Sequence, residues 1–297
     1  MSKTRAYAAW IVVCLIWGTT YLAIRVAIDS IPPLLMAGVR WIIAATLLIA
    51  FFRLRGERLP DQSTWLSLAI RGVLLIGFGN GAVVWAEQTV PSGLASVFVA
   101  VAPFWMVGVE ALFGDGDPLA GRQLAGLLVG FSGIVTLIYP QLGIGLTDVR
   151  GGGFLSGFLA TQLACAGWAV GSSFARRVGR SGQEPALTAP ALEMLFGGVV
   201  LLLCALAIGE RTNAMITARS IVAVAYLVFF GSIVAFSSYR YALGHLPVAT
   251  VSLYVYVNTV IALLLGTLVL GEPFSWRMAV GAAVVLAGIW MVKGRDG

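Results

Sequence analysis

Ten apolar stretches, each long enough to cross a lipid bilayer, occupy most of this chain of 297 residues. A transmembrane helix needs about 20 residues, because the hydrocarbon core of a bilayer is about 30 Å thick. Charged residues make up only 11% of the sequence, whereas soluble domains carry about 25%. We therefore expect an all-α polytopic membrane protein with ten transmembrane helices. They are predicted at residues 6–28, 33–52, 66–86, 92–113, 122–139, 152–175, 186–208, 219–241, 248–270 and 275–292.

The two halves of the chain repeat each other. Residues of the first stretch recur in the sixth, 151 positions later: Cys14, Trp17 and Arg25 match Cys165, Trp168 and Arg176. Towards the end of each half the separation is 155 positions: Asp117-Pro118 matches Glu272-Pro273, and Gly126 and Gly133 match Gly281 and Gly288. Since five is odd, two copies of five helices must cross the membrane in opposite senses, as in many secondary transporters. We predict two inverted five-helix repeats, residues 1–145 and 146–297, around a central cavity.

Small residues form narrow stripes on the fifth and tenth predicted helices. The stripes consist of Gly126, Gly130 and Gly133 on the fifth helix and of Gly281, Ala282 and Gly288 on the tenth. Close backbone approach lets helices associate in lipid, where no hydrophobic force draws them together. We expect these two helices to support each repeat and not to line the pathway.

The Lys and Arg residues predict the orientation of the chain. If the N-terminus is cytoplasmic, 13 of the 19 basic residues lie at the cytoplasmic face, 5 lie outside and Arg40 lies within a span. Cytoplasmic connections carry an excess of basic residues, so we expect both termini in the cytoplasm. None of the short connections holds a polybasic cluster. The net charge of +6 therefore does not indicate a nucleic-acid partner.

Enzyme and cofactor motifs are missing from the sequence. It contains no HExxH, CxxC, GxSxG or GxxxxGKS pattern. The GFGNG sequence lies inside a predicted span and cannot form the turn of a dinucleotide-binding βαβ unit. The three cysteines lie in apolar runs, and we interpret them as packing residues. We expect no catalytic residue, no metal site and no cofactor.

Three segments resemble the EamA-type drug/metabolite transporter superfamily. They are LIWGTTYLAIRVA in the first helix, LGEPFSWRMAVGAAVVLAGI near the C-terminus and its weaker copy GDGDPLAGRQLAGLLVGFSGI. The resemblance covers the whole chain and is strongest to the YddG-type amino-acid exporters of bacteria. It implies a ten-helix inverted-repeat fold with helices 1, 3, 4, 6, 8 and 9 around a central cavity, and export of small metabolites. The first copy departs from the pattern, since GDGDP stands where the second copy has LGEP.

Aromatic residues inside the spans are candidates for the walls of a cavity. Trp17 and Trp168 occupy matching positions in helices 1 and 6, and a buried indole needs a partner for its N–H. Packing between helices is the alternative interpretation of both. In helix 4, Phe98 and Trp105 follow helical spacing near Pro103, and they belong either to a cavity or to the core.

A few polar side chains lie in the same spans. Asn80 is flanked by glycines, and it contacts either a substrate or another helix, because an unpartnered amide in lipid is costly. Tyr254 and Asn258 are four residues apart and share a helix face, which suits an apolar site with a few polar groups. Ser172 either back-bonds to its own helix or faces the pathway. The predicted substrate-binding residues are Trp17, Asn80, Trp85, Phe98, Trp105, Trp168, Ser172, Tyr254 and Asn258.

The charged residues inside or near the spans receive a structural interpretation. Arg40 in helix 2 and Glu193 in helix 7 hold nearly equivalent positions. Both helices would lie outside the central ring, so we expect local pairing or snorkelling there. Glu87 and Glu110 lie near span ends and are expected to be solvated. Five tryptophans near span ends are expected to anchor in the interfacial belts: Trp10, Trp41, Trp65, Trp276 and Trp290.

These observations together predict a secondary transporter in the bacterial inner membrane. It would export small metabolites, including aromatic and apolar amino acids, by alternating access. Its partners would be a small-molecule substrate and membrane lipid, and the sequence leaves open whether it is a monomer. The alternatives are a carrier of the same fold for a nucleotide sugar or a drug, a passive channel, and a membrane-embedded enzyme. Such an enzyme would need clustered carboxylates or histidines at the interface, which the sequence lacks.

Overall fold

The chain forms ten helices, two of them interrupted, and no strand within the residues that the structure describes. This computed structural model describes residues 3–90, 92–113, 121–147, 153–180, 188–211, 215–270 and 276–293. The helices of the first half are α1 (Lys3–Ile28), α2 (Pro33–Leu54), α3 (Trp65–Gly72, Val73–Asn80 and Gly81–Ala86), α4 (Ser92–Val99 and Ala102–Leu112) and α5 (Gly121–Thr147). Those of the second half are α6 (Gly153–Arg180), α7 (Ala189–Ala207), α8 (Ala218–Tyr226, Leu227–Val234 and Ala235–His245), α9 (Val248–Ser252 and Tyr254–Leu270) and α10 (Trp276–Lys293). The acidic turns Asp117-Pro118 and Glu272-Pro273, and also Pro91, lie outside the described residues.

Five of these helices are both long enough and apolar enough to cross a membrane. They are Lys3–Ile28, Pro33–Leu54, Gln62–Ala86, Ala189–Ala207 and Ala218–His245. The interrupted helices α4 and α9 contain the shorter apolar segments Ala102–Leu112 and Val248–Ala262. A total of ten crossings therefore stays a prediction. Helix α5 is longer than the predicted span 122–139, because it continues past Pro140 to Thr147 and has 27 residues.

The packing of the helices follows the repeat. Helix α1 packs against α8 and α9, and its counterpart α6 packs against α3 and α4. The equivalent helices α2 and α7 pack against each other, and so do α5 and α10. Exchanging the two halves thus maps one set of contacts onto the other. The opposite orientation of the halves in a membrane remains a prediction.

Departures from α-helical geometry also repeat between the halves. Val73–Asn80 in α3 and Leu227–Val234 in α8 are π-helical, and the second begins 154 positions after the first (227 minus 73). Helix α4 is broken at Ala100–Val101 and helix α9 at Leu253. Such departures free backbone groups from the regular ladder and are common at functional sites.

Side chains from α1 and α6 bind carbonyls near the two breaks. Gln162 of α6 donates from Nε2 to the carbonyl of Phe98, at 3.4 Å. Trp10 of α1 donates from Nε1 to the carbonyl of Val251, at 3.1 Å. The first helix of each half therefore stabilises the broken helix of the other half. Trp10, expected in an interfacial belt, makes one of these contacts inside the bundle.

The small-residue stripes of α5 and α10 meet each other. A Cβ atom added at Gly288 would lie 2.6 Å from the Cα of Gly130 and 2.7 Å from the carbonyl oxygen of Gly126. One added at Gly133 would lie 2.9 Å from the carbonyl oxygen of Gly281. The backbones of these helices are in direct contact, which only glycine allows at these positions.

Substitution of Gly288 by alanine tests this contact. Gly288→Ala places a methyl group against backbone atoms, and overpacking of this kind costs about 1–3 kcal/mol. Thermal unfolding in detergent micelles should show a clear loss of stability. The matched control is Gly108→Ala, because a Cβ at Gly108 meets nothing within 4 Å. Equal melting temperatures for the two variants would contradict the proposed close packing.

Glu193 of α7 joins three helices through buried ion pairs. Its Oε1 lies 3.2 Å from Nη1 of Arg71 in α3, and its Oε2 lies 2.9 Å from Nε of Arg240 in α8. Arg71 and Glu193 are fully buried. Local pairing of Glu193 is thus confirmed. Arg71 and Arg240 are two of the 13 basic residues that the orientation argument placed at the cytoplasmic face. In the structure they belong to this internal cluster.

The expectation that Glu87 and Glu110 are solvated is wrong. Glu87 is fully buried and Glu110 is 8% exposed. Helix α6 covers both residues. It packs closely onto the end of α3 near Glu87, where a Cβ atom added at Gly157 would lie 3.2 Å from Oγ1 of Thr89. Arg176 of α6 forms an ion pair with Glu110 of α4, and its Nη1 lies 3.2 Å from Oε1 of Glu110.

Neutralising Glu193 should destabilise the helix bundle strongly. Glu193→Gln leaves two guanidinium groups without their counter-charge, and breaking a buried pair in this way costs about 3–5 kcal/mol. Chemical or thermal unfolding of the purified protein measures the loss. Glu57→Gln is the control, since Glu57 is exposed in the connection after α2. An unfolding midpoint shared by both variants would show that the ion pairs do not hold α3, α7 and α8 together.

Candidate functional site

A cavity lies between the helices at the centre of the described bundle. It contains about 670 Å³ of empty space, counting the part that opens to solvent. Small-molecule sites are mostly apolar, with a few placed polar groups. The cavity is lined by Trp17, Thr20, Tyr21 and Ile24 of α1, Arg40 and Trp41 of α2, Gly79, Asn80 and Val83 of α3, Val99 and Ala102 of α4, Ala164, Cys165 and Trp168 of α6, and Tyr254 and Asn258 of α9.

Aromatic rings from the two halves form one wall of this cavity. Trp17 and Trp168 meet edge to face, with ring centroids 5.3 Å apart and planes at 78°. Tyr254 lies 5.1 Å from Trp17 in a similar arrangement. Edge-to-face contacts of this kind are favourable beyond the area they bury. The two equivalent tryptophans therefore meet each other at the centre, as facing walls of one cavity require.

Hydrogen bonds hold both tryptophans in place. Trp17 donates from Nε1 to the carbonyl of Gly231, at 2.9 Å. Trp168 donates from Nε1 to the hydroxyl of Tyr239, also at 2.9 Å. The Tyr239 hydroxyl is in turn 2.6 Å from Oγ of Ser172. Since Tyr239 is fully buried, this short chain fixes the orientation of the Trp168 ring.

The two π-helical segments bring backbone and polar groups to the cavity. In α3, a Cβ added at Gly79 would lie 2.6 Å from Cε3 of Trp168, so glycine is needed for the ring to pack there. The next residue, Asn80, accepts at Oδ1 from Nε1 of Trp41, at 2.8 Å. In α8, the π-helical segment provides Gly231, which binds Trp17, and Ser232. Each half thus contributes one π-helical segment that positions cavity side chains.

Asn258 is the polar group on the α9 side of the cavity. It is buried, and its amide nitrogen can donate to the carbonyls of Cys14, at 2.8 Å, and Tyr254, at 3.0 Å. The donor side of this amide is therefore used within the protein. Asn80 similarly uses its oxygen for Trp41, so each asparagine both lines the cavity and links two helices.

The structure brings five of the nine predicted binding residues to the cavity lining: Trp17, Asn80, Trp168, Tyr254 and Asn258. It places the other four elsewhere. Phe98 packs edge to face on Phe158, with centroids 5.2 Å apart, and Trp105 is 40% exposed. Ser172 lies behind the wall on Tyr239, and Trp85 is partly buried outside the lining. Contact of any of the nine with a substrate remains a prediction.

Helix α2 contributes two cavity residues that the sequence analysis assigned to other roles. Arg40, expected to pair locally or to snorkel, lines the cavity and is 1% exposed. Trp41, expected in an interfacial belt, is also 1% exposed. The expectation for Trp41 is wrong because this face of α2 turns inward. Trp65, Trp276 and Trp290 are exposed, at 41%, 71% and 71%. Their contact with the interfacial belts stays a prediction.

Tyr239 is the supporting residue that sequence reasoning missed. Its neighbours Ser237, Ser238 and Tyr241 are only partly buried, whereas Tyr239 is fully buried. Ser232 and Tyr239 are seven residues apart and lie on one helical stripe. That stripe was the signal that could have identified Tyr239.

Removing the Tyr239 hydroxyl should loosen the aromatic wall. Tyr239→Phe leaves the Trp168 N–H and the Ser172 hydroxyl without this partner, and a buried unsatisfied group costs about 1–3 kcal/mol. We expect a lower melting temperature and altered tryptophan fluorescence. Tyr241→Phe is the control, because Tyr241 is partly exposed and stacks on His245 through its ring. The hydrogen-bonded role of Tyr239 would be refuted by a Tyr239→Phe protein that melts and fluoresces like the control.

Comparisons with known proteins bear on the whole chain. The sequence profile of the EamA-like transporter family matches residues 4–139 and again residues 155–294, one match on each side of the predicted boundary at residue 145. The chain is 37% identical over 293 residues to an uncharacterized inner membrane transporter, YedA, of Escherichia coli K12, with 96% of this chain and 90% of that one covered.

More distant similarities extend the comparison. A probable amino-acid metabolite efflux pump of Salmonella typhimurium LT2 is 27% identical over 304 residues, covering 98% of this chain and 95% of that one. A crystal structure of a protein 22% identical in sequence superposes with a TM-score of 0.79 and full coverage of both chains, which shows a shared fold. On the two family matches and the similarity to YedA, this chain belongs to the EamA-like transporter family.

Proposed function

We propose that this chain is a secondary transporter that exports small metabolites, amino acids with aromatic or apolar side chains among them, from the cytoplasm of a bacterium. The observation that carries the proposal is the central cavity, whose aromatic wall combines residues of both halves with a small number of polar groups. Its composition suits an apolar side chain attached to a compact polar group. The names of the relatives support the inner membrane as its location and amino-acid metabolites as its cargo.

The position of the cavity supports alternating access. Its lining residues on α1, such as Trp17 and Ile24, lie in the second half of that helix, whereas Arg40 lies in the first half of α2. This part of the cavity therefore lies towards the end of the bundle where α1 ends and α2 begins. With cytoplasmic termini, that end is periplasmic.

Polar contacts link the helices at the opposite end of the bundle. The buried Tyr239 and Ser172 lie beyond the aromatic wall. Further along α6, Ser173 and Arg176 both bind Glu110 at the end of α4, at 2.9 and 3.2 Å. Such contacts across one end of the bundle support a carrier in which the halves rock around a fixed site, whereas a passive channel would open at both ends.

Counterflow in proteoliposomes tests the proposed function. Wild-type protein should exchange labelled phenylalanine and leucine across the vesicle membrane. Trp17→Ala should slow the exchange about tenfold or more, because burial of a large apolar contact contributes about 1.5–3 kcal/mol. Trp290→Ala is the control, since Trp290 is 71% exposed. If folded wild-type protein exchanged no amino acid, the amino-acid cargo would be rejected. Cysteines introduced at the two ends of the pathway distinguish a carrier from a channel, because a channel would let both be labelled at the same time.

A further inference from the structure

We propose that Arg40 binds the carboxylate group of the transported metabolite, so that the cargo of this cavity is restricted to small organic carboxylates with an apolar side chain. The inference rests on the proposed transport function and specifies its substrate class. It assigns a binding role to helix α2, which the sequence analysis had placed outside the central ring.

The guanidinium group of Arg40 is buried without a counter-charge. Arg40 is 1% exposed and lines the cavity. Among the described residues, no carboxylate oxygen lies within the 4.0 Å that defines an ion pair with it. Its Nη1 atom has no hydrogen-bond partner in the part of the chain that the structure describes. A buried charge left in this condition is costly, and an ionisable residue inside a membrane span points by default to function.

The charged residue of the matching helix in the second half is treated differently. Glu193 in α7 binds both Arg71 and Arg240, so its charge is neutralised inside the protein. No described Asp or Glu belongs to the lining of the cavity. The cavity therefore carries one uncompensated positive charge, and a ligand with a negative group would supply the missing partner.

Neighbouring side chains fix the guanidinium in one orientation. Nε of Arg40 donates to Oγ of Ser232, at 2.8 Å, and its carbon Cζ lies 4.7 Å from the centre of the Trp41 ring. Trp41 is in turn held by Asn80. With Nε engaged, the remaining N–H groups include the unpartnered Nη1, and a planar guanidinium binds a carboxylate through such paired donors.

The rest of the cavity suits the apolar part of the same ligand. The wall of Trp17, Trp168 and Tyr254 is aromatic. A metabolite with its carboxylate at Arg40 would place its side chain among these rings. This division between one charged end and one aromatic end is what distinguishes a carboxylate site from a general apolar cavity.

Three compounds of similar size separate the contributions of the ligand groups. Phenylalanine has a carboxylate and an ammonium group, hydrocinnamate has only the carboxylate, and phenylalaninamide has only the ammonium group. We expect wild-type protein to transport phenylalanine and hydrocinnamate and to discriminate against the amide. In Arg40→Gln, the KM for the two carboxylates should rise about 10- to 100-fold, the loss typical of a charge-assisted hydrogen bond, while the KM for the amide should not rise.

Two further variants and one stability measurement complete the test. Arg40→Lys keeps the charge without the planar donor pair and should retain part of the carboxylate preference. Arg5→Gln removes an exposed arginine at the start of α1 and should change nothing. Without ligand, Arg40→Gln should melt at or above the wild-type temperature, because it removes a buried unpaired charge. A lower melting temperature together with an equal loss of transport for all three compounds would show a structural role and overturn the proposal.

The failure of this inference can be told apart from the failure of the transport function. Equal transport of phenylalaninamide and phenylalanine by wild-type protein, or preference for the amide, would refute the carboxylate assignment and leave transport standing. If folded protein moved none of the three compounds, both the amino-acid cargo and the role of Arg40 would be rejected.

Discussion

Hydrogen bonding of polar groups inside a bundle surrounded by lipid is the constraint on which the rest of this structure depends. The hydrocarbon region offers no water, so each freed backbone group needs a partner within the protein. Helices α3, α4, α8 and α9 all depart from α-helical geometry, and side chains of α1 and α6 bind three of their carbonyls. Trp17 binds Gly231, Trp10 binds Val251 and Gln162 binds Phe98. Helices α1, α3, α4, α6 and α9 also line the cavity, so the site and this network of hydrogen bonds arise together.

The sequence predicted the features that depend on two things: how far a residue lies from the ends of its apolar run, and whether it has a match in the other half of the chain. Trp17 and Trp168 were recognisable because both lie deep in their apolar runs and match across the duplication. The small-residue stripes were recognisable because glycine spacing on a helix face is preserved whatever the partner is. In both cases the position along the chain was enough.

The features that sequence reasoning missed depend on the rotation of a helix about its axis and on what covers its end. Helix α2 is apolar around most of its circumference, so the pattern could not show that Arg40 and Trp41 face inward. Glu87 lies near the end of α3, and its burial depends on the close approach of α6 at Gly157. The π-helical segments were equally hidden, because their hydropathy is that of any apolar helix. These properties are settled by packing between distant parts of the chain.

The charged residues of α2 and α7 break the symmetry of the duplicated scaffold. Two identical halves would present the same groups to the cavity from both sides, and a ligand could then bind in two equivalent orientations. In α7, Glu193 is neutralised by Arg71 and Arg240 and ties α3, α7 and α8 together. In α2, Arg40 is held by the Ser232 hydroxyl and the Trp41 ring. Arg40 belongs to the described lining of the cavity and Glu193 does not, so the first half alone places a charged side chain there.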